Sequence, residues 1–217
     1  MIVKPSGCHI CPLFEKGQGF CPDKTYPDAD YILYGEAPGK QEIEKGEPFV
    51  GRAGWVLKQW LLKSVPLLQL AEEKHRISYC NVLRCLPPEV QGRAYPRGEE
   101  RLQAEHCCSQ YKNLGTAHTL VLCGEVPQRF FFHDELEKED AEDKETKREL
   151  KGVMGRVGRV IEKEGRRYVF APHPAFILRQ PALVTHGQQA LQIAANTERV
   201  VEPEYLDWGY AMGELNG

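Results

Sequence analysis

The segment from Gly35 to Gly54 combines glycines, carboxylates and a single aromatic ring directly after a run of apolar residues. Glycine lets a backbone approach a ligand closely and exposes its N–H groups to that ligand. Phe49 in such a loop can stack on a planar ligand such as a base, or it can pin the loop to the core. The loop lacks the Gly-Lys-Ser/Thr ending of a phosphate-binding loop and does not match G-x-G-x-x-G. It therefore predicts a ligand site of another kind.

Two further polar residues follow predicted strands. Asn81 lies near the end of the predicted strand 76–85, and its amide offers both a donor and an acceptor, either to a ligand or to its own backbone. His173 follows the last predicted strand, within the sequence APHPAF. A histidine at that place can donate a hydrogen bond to negative charge that develops during a reaction, or it can cap a helix or lie buried.

The chain contains eight cysteines. Its first residues lack the layout of a signal peptide, so we expect an intracellular protein in which a disulfide framework is unfavourable. Metal ligands, cluster ligands and buried free thiols are the remaining explanations. Cys8 and Cys11 form a C-x2-C pair, which is equally typical of half a zinc site and of part of an iron–sulfur site.

Three segments carry a resemblance to a known family: GEAPGKQE with GEPFVGRAG, then CNVLRCLPP, then PHPAFILRQP. In this order they resemble the signatures of the uracil-DNA glycosylase superfamily, in particular its iron–sulfur-containing family 4. The resemblance extends from Cys8 to Ala195, apart from a charged insertion. It implies a monofunctional enzyme that hydrolyses the N-glycosidic bond of deoxyuridine in DNA. The products would be uracil and an abasic site, which starts base-excision repair.

The resemblance implies a role for each matched residue of the pocket. Phe49 would stack on the uracil of a nucleotide rotated out of the duplex. Asn81 would read the polar edge of the base, because uracil and cytosine present opposite donor and acceptor patterns to one amide. His173 would donate a hydrogen bond to O2 of the leaving base. Glu42 would position water, stabilise the cationic sugar, or both.

The chain departs from the superfamily pattern at several positions. Some members carry a water-activating Asp where this chain has Ala37, and we expect backbone groups around Glu36 and Ala37 to hold the uracil carbonyls. The Asp often found after the matched Glu42 is replaced by Ile43. Gly39 offers no bulk against the methyl group of thymine, so the sequence does not explain how thymine would be rejected.

The segment around PAFILR resembles the loop that enters the DNA minor groove and supports the flipped nucleotide. The implied DNA contacts are Pro174, Ala175, Phe176 and Arg179. Phe176 and Ile177 are the candidates for an apolar wedge, and either can instead pack in the core. Arg179 would contact phosphate, which adds salt-dependent affinity without sequence specificity.

The resemblance also implies a structural [4Fe–4S] cluster that pins the N-terminal segment near the DNA-binding loops. The implied ligands are Cys8, Cys11, Cys85 and Cys108. Cys108 is preferred to Cys107 because an aromatic residue follows it three positions later, as in the family. Cys21 is a rival ligand by its closeness to the first pair. The cysteines predicted to be core or free thiols are Cys21, Cys80, Cys107 and Cys123.

The elements that must position these residues alternate between strands and helices. Strands are predicted at 31–35, 76–85 and 118–126, with a fourth in a hairpin over 155–174 that turns near Glu164–Gly165. Helices are predicted at 53–65, 98–114 and 185–200. This order indicates a three-layer α/β/α sandwich with a central, mainly parallel four-stranded sheet, in which ligands bind at the carboxyl ends of the strands. We expect one domain over 1–200, a solvated, charged helical insertion at about 133–152, and a tail over 201–217.

The composition fits this interpretation and leaves some alternatives open. The 217 residues carry a net charge of −3, so any basic surface must be local. No apolar run approaches the roughly 20 residues that span a bilayer, so no membrane partner is expected. The expected partner is uracil-containing DNA, single- or double-stranded, bound by a monomer. The alternatives are a non-catalytic member of the superfamily, an enzyme for hypoxanthine or xanthine, and a zinc-stapled interaction protein.

Overall fold

The computed structural model describes Lys4 and residues 6–90, 93–94, 104–105, 114–145 and 152–196. The strands of these residues, in chain order, are β1 (Tyr31–Gly35), β2 (Ile77–Asn81), β3 (Glu89–Val90), β4 (Arg93–Ala94), β5 (Thr119–Cys123), β6 (Val160–Lys163) and β7 (Arg166–Ala171). The α-helices are α1 (Leu13–Lys16), α2 (Lys40–Lys45), α3 (Arg52–Val56), α4 (Pro66–Glu73), α5 (Glu125–Glu145), α6 (Gly152–Gly155), α7 (Pro174–Arg179) and α8 (Val184–Ala195). Tighter 3-10 turns cover Ser6–Ile10, Leu62–Ser64 and Pro181–Leu183.

The central sheet of the described residues has the strand order β2-β1-β5-β7-β6. The first four of these strands run parallel, and β6 pairs with β7 in the antiparallel direction. The predicted α/β class with a mainly parallel sheet is confirmed. The predicted number of four strands is wrong, because the first arm of the 155–174 hairpin also joins the sheet. Glu164 and Gly165 both have positive φ, 54° and 72°, as a tight hairpin turn requires, so the turn lies where it was predicted.

The parallel strands are buried because helices cover both faces of the sheet. Successive side chains of a strand point to opposite faces. Leu33, Tyr79 and Val121 accordingly join one apolar cluster, while Ile32 and Leu120 join a second one. The apolar run at 31–35 is therefore buried on both faces from Ile32 onward, which explains why it does not alternate with polar residues.

The helix predicted at 53–65 is present but changes type along its length. α3 passes into a π-helical segment, Leu57–Leu61, and then into a 3-10 turn. The backbone carbonyl of Trp60 accepts a hydrogen bond of 3.1 Å from the side-chain amide of Gln188 on α8. This bond satisfies a carbonyl within the irregular segment, since π segments disturb the regular ladder.

The two other predicted helices are described in part. The closing helix begins at Val184 and ends at Ala195, where Asn196 adopts the left-handed conformation. Of the helix predicted at 98–114, the described residues are Ala104 and Glu105, which are helical, and Leu114, which is not. The predicted tail lies outside the described residues. Within the described part of the chain, no helix combines the length and apolar character needed to cross a lipid bilayer.

The charged segment after residue 133 is helical as far as Glu145 but is less solvated than its composition suggests. α5 bends at Phe132, whose φ of −135° and ψ of 42° are not helical. Phe132 and Leu136 are buried in the second apolar cluster. The Asp140 carboxylate accepts hydrogen bonds from Arg129, at 2.6 Å, and from the buried Arg156. Two apolar anchors and this ion-pair network dock the segment onto the sheet.

Candidate active site

A cavity of about 380 Å³ opens at the carboxyl edge of the sheet. Its size is within the range of small-molecule sites, and its place is where parallel α/β sheets bind ligands. The residues that line it come from the loop after β1, the end of β2 and the segment after β7. They are Ala37, Pro38, Gly39, Lys40, Gln41, Glu42, Phe49, Gly51, Arg52, Ala53, Asn81, His173 and Ala175.

Phe49 is held at the cavity wall by an unusual backbone conformation. Its φ is 56°, in the left-handed region that a non-glycine residue adopts only when its surroundings impose it. Its carbonyl lies so close to Gly54 that a β-carbon on Gly54 would clash with it. The ring is 5% exposed, and its centroid lies 5.6 Å from that of Tyr79. The buried ring therefore offers the cavity a fixed apolar surface.

Asn81 closes the cavity at the end of β2, where it pairs with Gly35 of β1. Its side chain is buried. Among the described residues, no group forms a hydrogen bond with its side-chain amide. A buried amide left without a protein partner is costly, so this donor and acceptor are suited to a ligand.

Glu42 is a buried carboxylate that connects two parts of the loop. One of its oxygens, Oε2, accepts a hydrogen bond from the backbone N–H of Gly39 at 3.1 Å. The other, Oε1, accepts one from the backbone N–H of Gly51 at 2.8 Å. A β-carbon on Gly51 would lie 2.9 Å from Glu42 Oε1 and from Gln41 Oε1, so a larger residue there would displace these side chains. The same side chain thus lines the cavity and fixes both ends of the segment that carries Phe49.

His173 is the N-cap of α7, and its hydrogen bond determines its tautomer. Nδ1 accepts from the backbone N–H of Ala175 at 3.1 Å, so a neutral ring must carry its proton on Nε2. Burial lowers the pKa of His173, and Arg179 lowers it further, while Glu36 and Glu42 act in the opposite direction. The ring is therefore neutral near pH 7, and its Nε2–H is available as a donor.

The two remaining residues predicted for the base pocket occupy different places. Ala37 lines the cavity. Glu36 does not line it, but its charge lies close enough to His173 to offset part of the decrease in the histidine pKa that burial causes. The Glu36 carbonyl accepts a hydrogen bond of 2.9 Å from the backbone N–H of Leu83, which anchors the start of the loop to the segment after β2.

The predicted DNA-contact segment forms α7, and its residues divide by burial. Ala175 lines the cavity, whereas Pro174 and Ile177 are buried. Ile177 is fully buried in the first apolar cluster. Of its two predicted roles, packing in the core is therefore confirmed and insertion into DNA as an apolar wedge is wrong. Phe176 is half-buried and Arg179 is exposed, with the guanidinium 6.0 Å from the ring centre.

Three of the four predicted cluster ligands, Cys8, Cys11 and Cys85, belong to the described residues. Cys11 and Cys85 pack in one small apolar cluster with Ala104. Burial and the neighbouring Cys11 raise the pKa of the Cys8 thiol. The described cysteines form no disulfide. Within the described residues, no group of three or more His, Cys, Asp or Glu side chains is arranged to hold a metal ion. Cys107 and Cys108 lie outside those residues.

The other described cysteines are buried free thiols. Burial is the main cause that raises the pKa of Cys21 to about 12, followed by the charges of Glu42, Asp23 and Glu47 rather than other cysteines. Burial alone raises the pKa of Cys123 to about 12. Both lie in the core, and so does Cys80.

Sequence reasoning missed three residues around the cavity. Lys40 and Arg52 line it and are exposed at its rim. Gly124, with φ of 91°, packs against His173, and a β-carbon there would lie 3.0 Å from the histidine Cβ. The signal for the two cations was their position directly after glycines of the loop. No pattern in the sequence connects Gly124 to His173.

Comparison with known proteins gives one family and several relatives. Residues 22–197 match the family described as the Uracil DNA glycosylase superfamily. The Type-4 uracil-DNA glycosylase of Sulfurisphaera tokodaii is 37% identical over 81 residues, which are 37% of this chain but only 34% of that protein. The enzyme of the same name from Archaeoglobus fulgidus is 29% identical over 179 residues, 81% of this chain and 80% of that protein. The one from Pyrobaculum aerophilum is 27% identical over 203 residues, 90% of this chain and 93% of that protein.

Proposed function

Because the chain belongs to the uracil DNA glycosylase superfamily, we propose that it hydrolyses the N-glycosidic bond of deoxyuridine in DNA. The observation that carries the proposal is the meeting of Phe49, Asn81 and His173, from three distant segments, in one cavity of about 380 Å³. An aromatic wall, an amide that no described residue bonds and a neutral histidine donor together suit a pyrimidine ring. The reaction starts base-excision repair, and the similarity to Type-4 enzymes supports the same assignment.

Base recognition is assigned to Phe49 and Asn81. The everted uracil stacks on the Phe49 ring, because a base cannot be reached inside the duplex stack. The Asn81 amide donates to O4 of uracil and accepts from N3–H. Cytosine presents the opposite pattern at both atoms, so it leaves two buried groups unpaired at about 1–3 kcal/mol each. Backbone groups of Glu36 and Ala37 contribute to holding the carbonyls.

Bond cleavage is assigned to His173 and Glu42. The electron pair of the C1′–N1 bond leaves with the base, and the Nε2–H of His173 donates a hydrogen bond to O2, where negative charge collects. The Glu42 carboxylate stabilises the cationic sugar and orients a water molecule. The oxygen of that water bonds to C1′, and its proton passes to the carboxylate or to solvent. No lyase step is included, since no lysine occupies a matched catalytic position.

DNA contacts outside the cavity are assigned to α7. Pro174 and Ala175 fix the start of the helix beside the cavity, while the half-buried Phe176 is the remaining wedge candidate. The exposed Arg179 is assigned to phosphate. Both single- and double-stranded DNA suit this arrangement, and a monomer suffices for it.

We also assign a [4Fe–4S] cluster to Cys8, Cys11, Cys85 and Cys108. The shared packing of Cys11, Cys85 and Ala104 supports this, because Ala104 lies shortly before Cys108 in the chain. A four-iron cluster spaces its sulfur ligands more widely than a single ion does, so thiols that are not arranged for one ion still suit a cluster. When bound, the cluster supplies a structural cross-link between the N-terminal segment and the strand that ends in Asn81.

The excision assay tests the proposed function. The protein is incubated with oligonucleotides containing uracil, hypoxanthine or xanthine, and abasic sites are then cleaved with alkali. We expect strand cleavage at uracil in single- or double-stranded DNA. Cleavage at hypoxanthine or xanthine without cleavage at uracil would assign a different substrate, and no cleavage at all would indicate a non-catalytic member of the superfamily.

A further inference from the structure

Two cations stand at the rim of the cavity and have no role in base recognition or bond cleavage. Lys40 and Arg52 both line the cavity, and both side chains are exposed. The chain as a whole carries a net charge of −3, so its overall field does not attract a polyanion. A local cationic rim is therefore a specific feature of this edge of the sheet.

The backbone holds the two cations in a fixed relation to each other. Lys40 directly follows Gly39, and Arg52 directly follows Gly51. The single carboxylate of Glu42 accepts a hydrogen bond from the N–H of each glycine, at 3.1 Å and 2.8 Å. Because one buried side chain fixes both preceding residues, Lys40 and Arg52 start from neighbouring, rigid points of the rim.

The two cations also lack protein partners within the described part of the chain. Neither forms an ion pair or a side-chain hydrogen bond there. Other cations of the protein are paired with carboxylates: Arg76 with Asp30, Arg84 with Asp23, and Arg129 with Asp140. The charges of Lys40 and Arg52 thus remain available to an anion at the mouth of the cavity.

We infer that Lys40 and Arg52 form a phosphodiester clamp that grips the DNA backbone beside the everted nucleotide. This inference rests on the proposed function. If the base occupies the cavity, the sugar lies at its mouth and the adjoining phosphates lie at the rim. A guanidinium binds a phosphate through two parallel N–H groups, and an ammonium binds it as a point charge. The clamp holds the backbone in place while the base is out of the stack.

Salt-dependent binding tests the clamp. Binding is measured with full-length protein and a duplex that contains 2′-fluorodeoxyuridine, whose electron-withdrawing fluorine slows cleavage. In the wild type, the logarithm of the binding constant falls linearly with the logarithm of salt concentration. Each lost phosphate contact lowers the steepness of this line by about 0.9. We expect that decrease for Arg52→Ala and for Lys40→Ala, and about twice that decrease for the double variant.

The matched control is Lys63→Ala, which removes an exposed positive charge that does not line the cavity. We expect it to keep the wild-type slope. Arg52→Lys retains the charge but not the paired N–H groups, so it should keep the slope and bind more weakly. Because the Arg52 side chain is exposed, we expect both substitutions there to change the free energy of unfolding by no more than about 0.5 kcal/mol.

A double-mutant cycle locates the contact. A neutral methylphosphonate replaces, one at a time, the phosphates that flank the fluorinated nucleotide. The substitution at the gripped phosphate should weaken binding by the wild type and have much less effect on Arg52→Ala. Wild-type slopes in both alanine variants, or equal methylphosphonate effects in wild type and variants, would overturn the clamp. Failure of the wild type to release uracil would overturn the proposed function instead, since these binding measurements do not require excision.

Discussion

The side chains of Phe49 and Asn81 meet over the α-carbon of Gly35. A β-carbon on Gly35 would lie 2.7 Å from Cζ of the Phe49 ring and 2.5 Å from Oδ1 of Asn81. The aromatic wall and the amide of the cavity are therefore brought together by the absence of a side chain at the last residue of β1. Their mutual geometry is a property of this one backbone position.

Gly35→Ala tests that relationship. The added methyl group must displace the ring, the amide or both, and overpacking of this kind typically costs about 1–3 kcal/mol. We expect the free energy of unfolding to fall by that amount. We also expect kcat/KM for uracil release to fall roughly tenfold, which corresponds to a loss of about 1.4 kcal/mol of transition-state stabilisation as the ring and the amide move out of place. Steady-state kinetics on uracil-containing DNA measure it. Unchanged kinetics in a folded protein would show that the positions of Phe49 and Asn81 do not matter.

Asn81→Ala removes the amide that faces the cavity. We expect kcat/KM on uracil to fall by about 10- to 100-fold, because one buried group left unpaired costs about 1–3 kcal/mol. The preference for uracil over cytosine should fall with it, which competition between the two substrates measures. The control is Gln69→Ala, which removes a side-chain amide of α4 that does not line the cavity. Full activity of Asn81→Ala would exclude base reading by this residue.

His173→Asn removes the donor that faces the leaving base. Loss of one such donor typically costs about 10²- to 10³-fold in kcat. Single-turnover excision measures the loss, and His186→Asn, at an exposed histidine of α8, is the control. A kcat within twofold of the wild type would remove His173 from the mechanism.

The pH dependence of the wild type follows from the lowered pKa of His173. The ordinary value is 6.5, and burial moves it downward, so the catalytic neutral form persists below pH 6.5. The folded state also binds this proton less readily than the unfolded chain. The contribution of His173 to the free energy of unfolding is therefore complete above pH 6.5, the unfolded pKa. It is lost as the pH falls from that value through the lower pKa of the folded state. We expect kcat to decline only below pH 6.5, and His173→Asn should lack this decline.

Glu42→Gln tests the carboxylate that joins Gly39 to Gly51. A glutamine amide keeps one acceptor oxygen but turns an NH₂ group towards the other backbone N–H, so one buried donor loses its partner. We expect a decrease of about 1–3 kcal/mol in the free energy of unfolding, together with a loss of excision. Glu44→Gln, on the exposed side of the same helix, is the control. Wild-type stability and activity in Glu42→Gln would contradict both roles.

The cysteine assignment predicts a colour. Anaerobically purified protein should be brown, with broad visible absorbance, and Cys11→Ala or Cys85→Ala should lose that absorbance. Cys21→Ala should retain it, because the charges that raise the pKa of Cys21 after burial are those of Glu42, Asp23 and Glu47 and not those of the described thiols. A colourless wild type that contains zinc would replace the cluster by a zinc site, and loss of colour in Cys21→Ala would make Cys21 a ligand.

The sequence was sufficient to predict the edge of the sheet at which the cavity lies and several residues that line it, although not Lys40 and Arg52. The short apolar runs within 31–35 and 118–126 favour buried strands, and such strands run parallel in an α/β fold. Their carboxyl ends must then share one edge, so the residues after them converge whatever the details of packing. Phe49, Asn81 and His173 were identified on that basis, together with the resemblance of their motifs.

Only the tertiary structure decided what each side chain does at that edge. Ile177 and Phe176 are neighbours of similar character, yet α7 buries the first and leaves the second half-exposed. The tautomer of His173 depends on the hydrogen bond from the N–H of Ala175. The loop is closed because the N–H groups of Gly39 and Gly51 each donate to one oxygen of Glu42. The docking of Leu136 depends on sheet residues distant in the chain, which form the second apolar cluster with it. Periodicity reports how a segment is buried along its own axis, whereas the burial of Ile177 and Leu136 depends on where remote segments lie. The hydrogen bonds of His173 and Glu42 depend on the exact course of the backbone, and residue types alone carry no record of that.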